Sequence, residues 1–353
     1  MVGCEGSAII AAMTITFCNP APGASLSGLR GCYALLAAVM LLLAGCASPL
    51  IDHVHDAAPQ QAPAAALSRA GRPVVALVLG GGAARGFAHI GVIQVLEENG
   101  VRPDIVIGAS VGSFVGALYA GGFDAAGLAR LAGELRENDL RDFIYPDRGF
   151  VRGERLQNYV NKQLGGRTIE QLPLPFAAVA TDLASGEAVA FNRGDVGVAV
   201  RASSAIPGVF QPVRIRGREY IDGGVVSPAP VRTARASGAD FIIAVDIAHR
   251  PDDKKEFTNT VEILSQAINI MTHRLAGEQM NLADVAIRPQ LQQLSSTDFS
   301  TRDEAIKRGA EAARRVIGRI RNRLAAMTGT NDFAAAEGRP GAPPHAMTRP
   351  MTP

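Results

Sequence analysis

The sequence predicts an α/β domain in which a mixed sheet is flanked by helices and a serine stands at the turn between a buried strand and a helix. Three observations lead there. Val74–Leu79, Asp104–Ile107, Phe176–Asp182 and Phe241–Asp246 are short runs rich in Val, Ile and Ala, the pattern of buried strands. Phe87–Leu96 keeps Ile90, Ile93 and the Val92/Leu96 pair at helical spacing, with Gly100 as a stop. The first two apolar runs each end in small residues, Gly80–Gly86 and Gly108-Ala109-Ser110-Val111-Gly112.

Taking the elements in order, the loop Gly80-Gly81-Gly82-Ala83-Ala84-Arg85-Gly86 joins the first strand to the first helix. A dinucleotide site would need Gly-x-Gly-x-x-Gly with an acid ending the second strand. Here the glycine spacing is one residue longer, and that strand runs straight into Gly108-Ala109-Ser110. A phosphate-binding P-loop would need Gly-Lys-Ser/Thr, which is missing. The remaining reading is an oxyanion hole at Gly80, Gly81, Gly82 and Ala83, whose uncovered backbone N–H groups would face the charge of a tetrahedral intermediate. Arg85, supported by Gly86, either steadies this loop, attracts an anionic head group, or is a solvated loop arginine.

The second strand leads to Gly108-Ala109-Ser110-Val111-Gly112 and then to the helix-like Phe114–Tyr119. Gly-x-Ser-x-Gly in a strand–turn–helix context is a nucleophile elbow. The serine side chain is thrust out of a tight turn, and Gly108 and Gly112 must be small for strand and helix to close around it. An ordinary βα loop can carry the same five residues. A serine nucleophile needs a base. His89 lies in the first helix and reads as a packed or capping residue. His273 falls in a helical stretch, Ile263–Leu282, and His345 in the Pro/Ala-rich tail. His249, after the strand Phe241–Asp246, is the triad candidate. Glu219-Tyr220-Ile221-Asp222-Gly223-Gly224-Val225 puts an aspartate at the end of a short strand, which is also how a hairpin turn is written.

The continuation Arg85-Gly86-Phe87-Ala88-His89-Ile90-Gly91-Val92, the pentapeptide around Ser110 and Asp222-Gly223-Gly224 stand in order. Together they resemble the patatin-like phospholipase family, in particular its bacterial branch. The segment Val198–Phe210 resembles that family's helix and loop beside the site. The resemblance spans Val74–Pro289. It implies a patatin-like mixed sheet and a Ser110–Asp222 dyad in place of a triad. It also implies phospholipase A, lysophospholipase or broader lipid esterase activity, with membrane lipids as substrate. Asp182 is expected to hold a loop through backbone hydrogen bonds, and Ser203 and Ser204 to be structural. The alternative from another class is a non-catalytic lipid-binding or envelope-assembly protein of the same fold.

Composition narrows the function further. With 35 Lys plus Arg against 33 Asp plus Glu the net charge is +2, and no basic run with interleaved aromatics supports a nucleic-acid partner. Cys4, Cys18, Cys32 and Cys46 are the only cysteines, so beyond Cys46 there is no disulfide framework, thiolate metal site or cysteine nucleophile. No His/Asp/Glu cluster shows metal-ligand spacing, and neither metal nor other cofactor is expected.

Residues 33–44 are uncharged and apolar. They are shorter than the ~20 residues of a membrane-spanning helix and suited to a signal-peptide core. Leu43-Ala44-Gly45-Cys46 resembles a bacterial lipobox, which implies acylation at Cys46 and, with Ala47 next, a lipid-anchored protein of the cell envelope on the periplasmic face of the outer membrane. The expected organisation is a signal peptide over residues 1–45, a Pro/Ala/Gln-rich tether over 46–72 and the hydrolase domain over 73–290. A helical segment follows over 291–328, read as one basic amphipathic helix, Thr301–Met327, with apolar Ala305, Ile306, Ala313, Ile317 and Leu324. A disordered tail over 329–353 completes the chain.

Overall fold

The computed structural model describes residues 51–54, 58–61, 71–251, 257–258, 260–295 and 298–328. The chain divides into two units, Met1–Pro49 and Leu50–Pro353. The first unit lies outside the described residues, as do Cys46, the lipobox and the tail, so the expectations placed there find no structural counterpart.

Among the described residues the strands are β1 (Asp52–His53), β2 (Val75–Leu79), β3 (Ile105–Ala109), β4 (Phe143–Asp147), β5 (Gly149–Val151), β6 (Phe176–Asp182), β7 (Ala188–Phe191), β8 (Val213–Ile215), β9 (Arg218–Asp222), β10 (Phe241–Val245) and β11 (Val285–Ile287). The helices are α1 (Phe87–Glu98), α2 (Val111–Ala120), α3 (Ala125–Glu134), α4 (Glu154–Gln163), α5 (Val196–Ser203), α6 (Val231–Ala236), α7 (Thr260–Met280), α8 (Arg302–Arg314) and α9 (Ile317–Thr328).

Nine strands form one sheet in the order β1-β8-β9-β6-β3-β2-β10-β11, with β7 paired to β6, while β4 and β5 form a separate hairpin. The core pairs β10–β2, β2–β3 and β3–β6 are parallel, whereas β6 meets β7 and β9 antiparallel. The sheet is therefore mixed, as expected. Alternation along the strands explains the unbroken apolar runs. Val75, Leu77 and Leu79 of β2 face a core shared with α1, α2 and α8, while Ala76 and Val78 face a second core with α6 and the end of α7.

Two expectations change. The stretch read as a tether is not uniformly free, because β1 pairs in parallel with β8, Gln60 bridges Arg193 and Ala58 is fully buried. The single C-terminal helix is two: α8 ends at Arg314, and α9 starts at Ile317 after a turn. Ala305, Ala310 and Ala313 of α8 and Ile320 and Leu324 of α9 all enter the main core. Contact between α8 and α1 is backbone-close. A Cβ on Gly309 would strike the Ala88 carbonyl, and one on Gly91 the Ile306 carbonyl.

Candidate active site

Ser110 follows directly on β3 and caps α2. Its backbone, at φ 54° and ψ −131°, lies where a residue bearing a Cβ is strained. The surroundings enforce it. The Ser110 N–H donates to the Ser203 carbonyl at 3.1 Å and to the Ser203 hydroxyl at 3.0 Å. Its carbonyl accepts from Ser113 Oγ at 2.6 Å. Ser203 is held in turn, its Oγ donating to the Val179 carbonyl at 2.6 Å. Gly108 and Gly112 are as the elbow requires: a Cβ on either would collide with backbone, at Gly112 and at Leu79 respectively.

Asp222 arrives from the other side of the sheet by register. Ala109 pairs with Val179 and the next residue of β6, Ala180, pairs with Asp222, so the ends of β3 and β9 meet at one strand. Ser110 Oγ donates to Asp222 Oδ2 at 2.6 Å, and Oδ1 accepts from the Gly224 N–H at 2.6 Å. The Asp222 backbone is fixed by the Ala205 carbonyl and by Thr181 Oγ1. Gly223–Val225 form a 3-10 turn leading away from the sheet, so the hairpin reading of Asp-Gly-Gly does not apply. Both side chains are buried, Ser110 to 6% exposure and Asp222 to 5%. Burial pushes the Asp222 carboxyl up to about 6, opposed by the hydrogen bonds from Ser110 and Gly224.

The glycine loop requires a correction. The Gly80 N–H donates to the Val245 carbonyl and that of Gly81 to the Pro228 carbonyl, both at 3.0 Å, so neither is available to an oxyanion. These glycines serve close approach instead, a Cβ on Gly81 falling 3.2 Å from that of Ser110. Gly82 and Ala83, the latter at φ 51°, open the 3-10 turn Ala83–Gly86. Among the described residues their N–H groups, like that of Val111 opening α2, have no backbone acceptor.

Arg85 is neither solvated nor directed at a head group. It is buried, donates through Nε and Nη2 to the Leu294 carbonyl at 3.2 Å each, and reaches His249 Nδ1 at 2.5 Å. Its guanidinium pKa is lowered by desolvation. Gly86 behind it leaves room for the Val111 side chain. His249 thus accepts from Arg85, while the serine hydroxyl's partner is Asp222, which removes the triad reading. His89 is fully buried, donates through Nε2 to the Gly80 carbonyl at 2.9 Å and has its pKa pushed down to about 4 by burial, so it stays neutral and braces the loop. Asp182 accepts from the backbone of Ala184 and Ser185 as expected, and also from Arg218 Nε at 2.6 Å.

Sequence reasoning missed the cavity. A space of about 1010 Å³, open mouth included, runs from Ser110, Ala83 and Val111 between α1, α2, α3 and α4. Its walls include Phe87, Ile90, Phe114, Leu118, Leu128, Leu131, Leu156, Tyr159, Phe210 and Phe299. Ser204 also borders it, with a buried hydroxyl that has no partner among the described residues. The available signal was apolar spacing in Leu128, Leu131 and Leu135, which carries no motif. No group of His, Cys, Asp and Glu suited to a metal occurs among the described residues.

Residues 77–235 match the family model for patatin-like phospholipase. The chain carries a patatin-like phospholipase domain. Uncharacterised NTE family proteins of Mycobacterium tuberculosis and Mycobacterium bovis are 42% identical to it over 179 residues, 50% of this chain and 49% of theirs. A protein named lysophospholipase NTE1 of Pyricularia oryzae is 31% identical over 281 residues, 70% of this chain but 19% of the fungal one. The patatin-like chain thus spans at most about half the length of these curated relatives. The crystal structure of VipD from Legionella pneumophila has the same fold at a TM-score of 0.52 and 17% identity, over 79% of this chain and 72% of VipD.

Proposed function

We propose that this protein is a lipid acyl hydrolase of the phospholipase A or lysophospholipase type, acting through Ser110 and Asp222. The observation that carries the reading is the 2.6 Å hydrogen bond from a strained, buried serine to a buried aspartate, opening on an apolar cavity. Ser110 Oγ attacks the ester carbonyl while its proton passes to Asp222 Oδ2. The N–H groups of Gly82, Ala83 and Val111 are the donors left for the oxyanion, and one such donor is worth about 3 kcal/mol in a transition state. Collapse expels the alcohol, which takes the proton from Asp222. Water then attacks the acyl-enzyme, gives a proton to Asp222 and releases the fatty acid, the proton returning to Ser110.

A carboxylate of ordinary pKa ~4 is a weak base, and the upward shift to about 6 makes Asp222 a better one that is still ionised at neutral pH. The cavity accepts the acyl chain, and the names of the fungal relatives favour a lysophospholipid among possible substrates. The proposal extends to place. Among the described residues no helix is long and apolar enough to cross a membrane, and the lipobox-like run ending at Cys46 is read as the anchor to the periplasmic face of an outer membrane. The domain limits of 73–290 and 291–328 are likewise proposed.

The test is fatty acid release from phospholipid and lysophospholipid vesicles by the full chain beside Ser110→Ala and Asp222→Asn. Release that disappears in both variants is expected. Full release by Ser110→Ala refutes the mechanism. Palmitate incorporation that persists in Cys46→Ser would refute the anchor.

A further inference from the structure

Over its first half, helix α7 is inside out. At about 100° per residue, Ile263, Leu264, Ala267, Ile268, Ile270 and Met271 share about 160° of arc. All six are exposed, Met271 to 60% and Leu264 to 59%. On the opposite arc Glu262, Gln266, Asn269, Thr272 and His273 are the half-buried residues. A helix packed on a domain in water has the reverse arrangement, and an exposed apolar face of this kind marks an interaction site. No charged residue interrupts the sequence between Glu262 and Arg274. Conventional packing begins only near the C-terminus, where Ala276 and Met280 are buried and Gln279 bonds to the backbone of Ala229 and Val226.

Position says what meets this face. Because β10 and β11 are parallel, α7 runs back from the C-terminal edge of the sheet toward its opposite edge. Its 21 residues measure about 31 Å, whereas the five residues of β10 measure about 17 Å. The packed end fixes where the excess lies: Gln279 bonds Ala229 and Val226, beside the Pro228 carbonyl that accepts from the Gly81 N–H, so the inverted half overhangs the edge that carries Ser110 and the glycine loop. A second exposed apolar patch lies beside the cavity: Phe150 and Val209 are exposed, the Phe150 N–H bonds the Val209 carbonyl, and the adjacent Phe210 lines the cavity wall. The arginines nearest that patch are neutralised, Arg141 by Glu137, Arg148 by Glu219 and Arg152 by Glu154. Two apolar patches on the catalytic edge, with the exposed Arg274 on the same arc of α7 one turn after Ile270, match a phospholipid surface, whose phosphates can meet the guanidinium while its acyl region meets the apolar side chains.

We propose that the outward face of α7 docks into the headgroup–acyl boundary of a phospholipid bilayer and holds the Ser110 edge against it. The choice of lipid as occupant rests on the acyl-hydrolase reading of Ser110 and Asp222. The docking is separate from any anchor at Cys46, since it uses residues 263–271 of the folded domain.

The absence of cysteine after Cys46 makes the test direct. In the full chain with Cys4, Cys18, Cys32 and Cys46 changed to serine, Met271→Cys carries an environment-sensitive nitrobenzoxadiazole label. Lys162→Cys, at the opposite edge of the sheet, carries the control. With phosphatidylcholine vesicles the label at 271 is expected to shift to the blue and be quenched by spin-labelled lipid, and the label at 162 to do neither. A triple variant, Ile263→Ser, Leu264→Ser and Met271→Ser, is expected to lower vesicle hydrolysis at least about tenfold while cleaving soluble p-nitrophenyl butyrate at the parent rate. A label at 271 that stays water-like beside vesicles overturns the proposal, as does a triple variant with parental vesicle hydrolysis. So does a label shielded before lipid is added: concentration dependence would then assign the face to a second copy, and its lack to another segment of the same chain. If the parent cleaves neither substrate but the label still enters vesicles, the docking stands and the hydrolase reading falls.

Discussion

Replacing Asp222 by asparagine is expected to abolish hydrolysis and at the same time stabilise the protein. Burial raises the Asp222 pKa from 3.8 to about 6, about two pH units, each worth about 1.4 kcal/mol. The folded pKa lies above the unfolded one, so the fold favours the protonated acid. That contribution is complete below pH 3.8 and is lost as pH rises through about 6. At pH 8 the ionised carboxylate therefore costs the folded state about 3 kcal/mol. Asparagine is neutral throughout, its Oδ1 can keep the Gly224 N–H, and its amide can donate to Ser110 Oγ. Urea unfolding should show Asp222→Asn more stable than the parent by up to about 3 kcal/mol at pH 8 and by little or nothing at pH 4. In the parent, kcat/KM should rise through pH ~6 as the base ionises. A variant no more stable at pH 8, an equal gain at pH 4, or a parental rate flat from pH 5 to 8 would refute the assignment.

Other perturbations test the supports. Ser110→Gly, inactive like Ser110→Ala, should be the more stable of the two by about 1 kcal/mol in chemical unfolding, because glycine tolerates φ 54°. His249→Ala should keep hydrolysis within a few-fold of the parent, since Arg85 retains both bonds to the Leu294 carbonyl; a loss of about 10⁴-fold, as for a triad base, would restore the triad. His89→Ala should lower stability by about 2 kcal/mol through the lost Gly80 bond and the cavity it leaves, with the pH–rate midpoint unmoved. Gly309→Ala should cost about 1–3 kcal/mol, measured as a lower thermal midpoint, because its methyl group meets the Ala88 carbonyl.

The strands were legible because this sheet is covered on both faces, so that β2, β3, β6 and β10 appear as unbroken apolar runs. Ser110 was legible because steric demands at a tight turn leave a local trace in Gly108 and Gly112. Asp222 was less so. Asp-Gly-Gly alone is compatible with a hairpin, and only its place after the other motifs distinguished it. What could not be read depends on partners far along the chain. The Gly80 and Gly81 N–H groups are taken by Val245 and Pro228, and Arg85 is buried by the Leu294 carbonyl. Neither leaves a mark near residue 80. The turn at Arg315–Val316 was hidden by a uniform Arg/Ala-rich composition, and the cavity walls came from helices with no motif at all.

The pairing of Ala109 and Asp222 with successive residues of β6 bears on how such a protein can diversify. Strand register changes in whole residues, and a slip of one would turn Asp222 to the opposite face of the sheet. The separation of acid and serine therefore cannot be tuned by small drifts. The cavity wall is under no such constraint: Leu128, Leu131 and Leu156 stand on α3 and α4, outside the sheet, where volume can change one side chain at a time. Under the proposed function, new acyl preferences are thus open to stepwise selection on the helices, while the Ser110–Asp222 pair is inherited whole or lost.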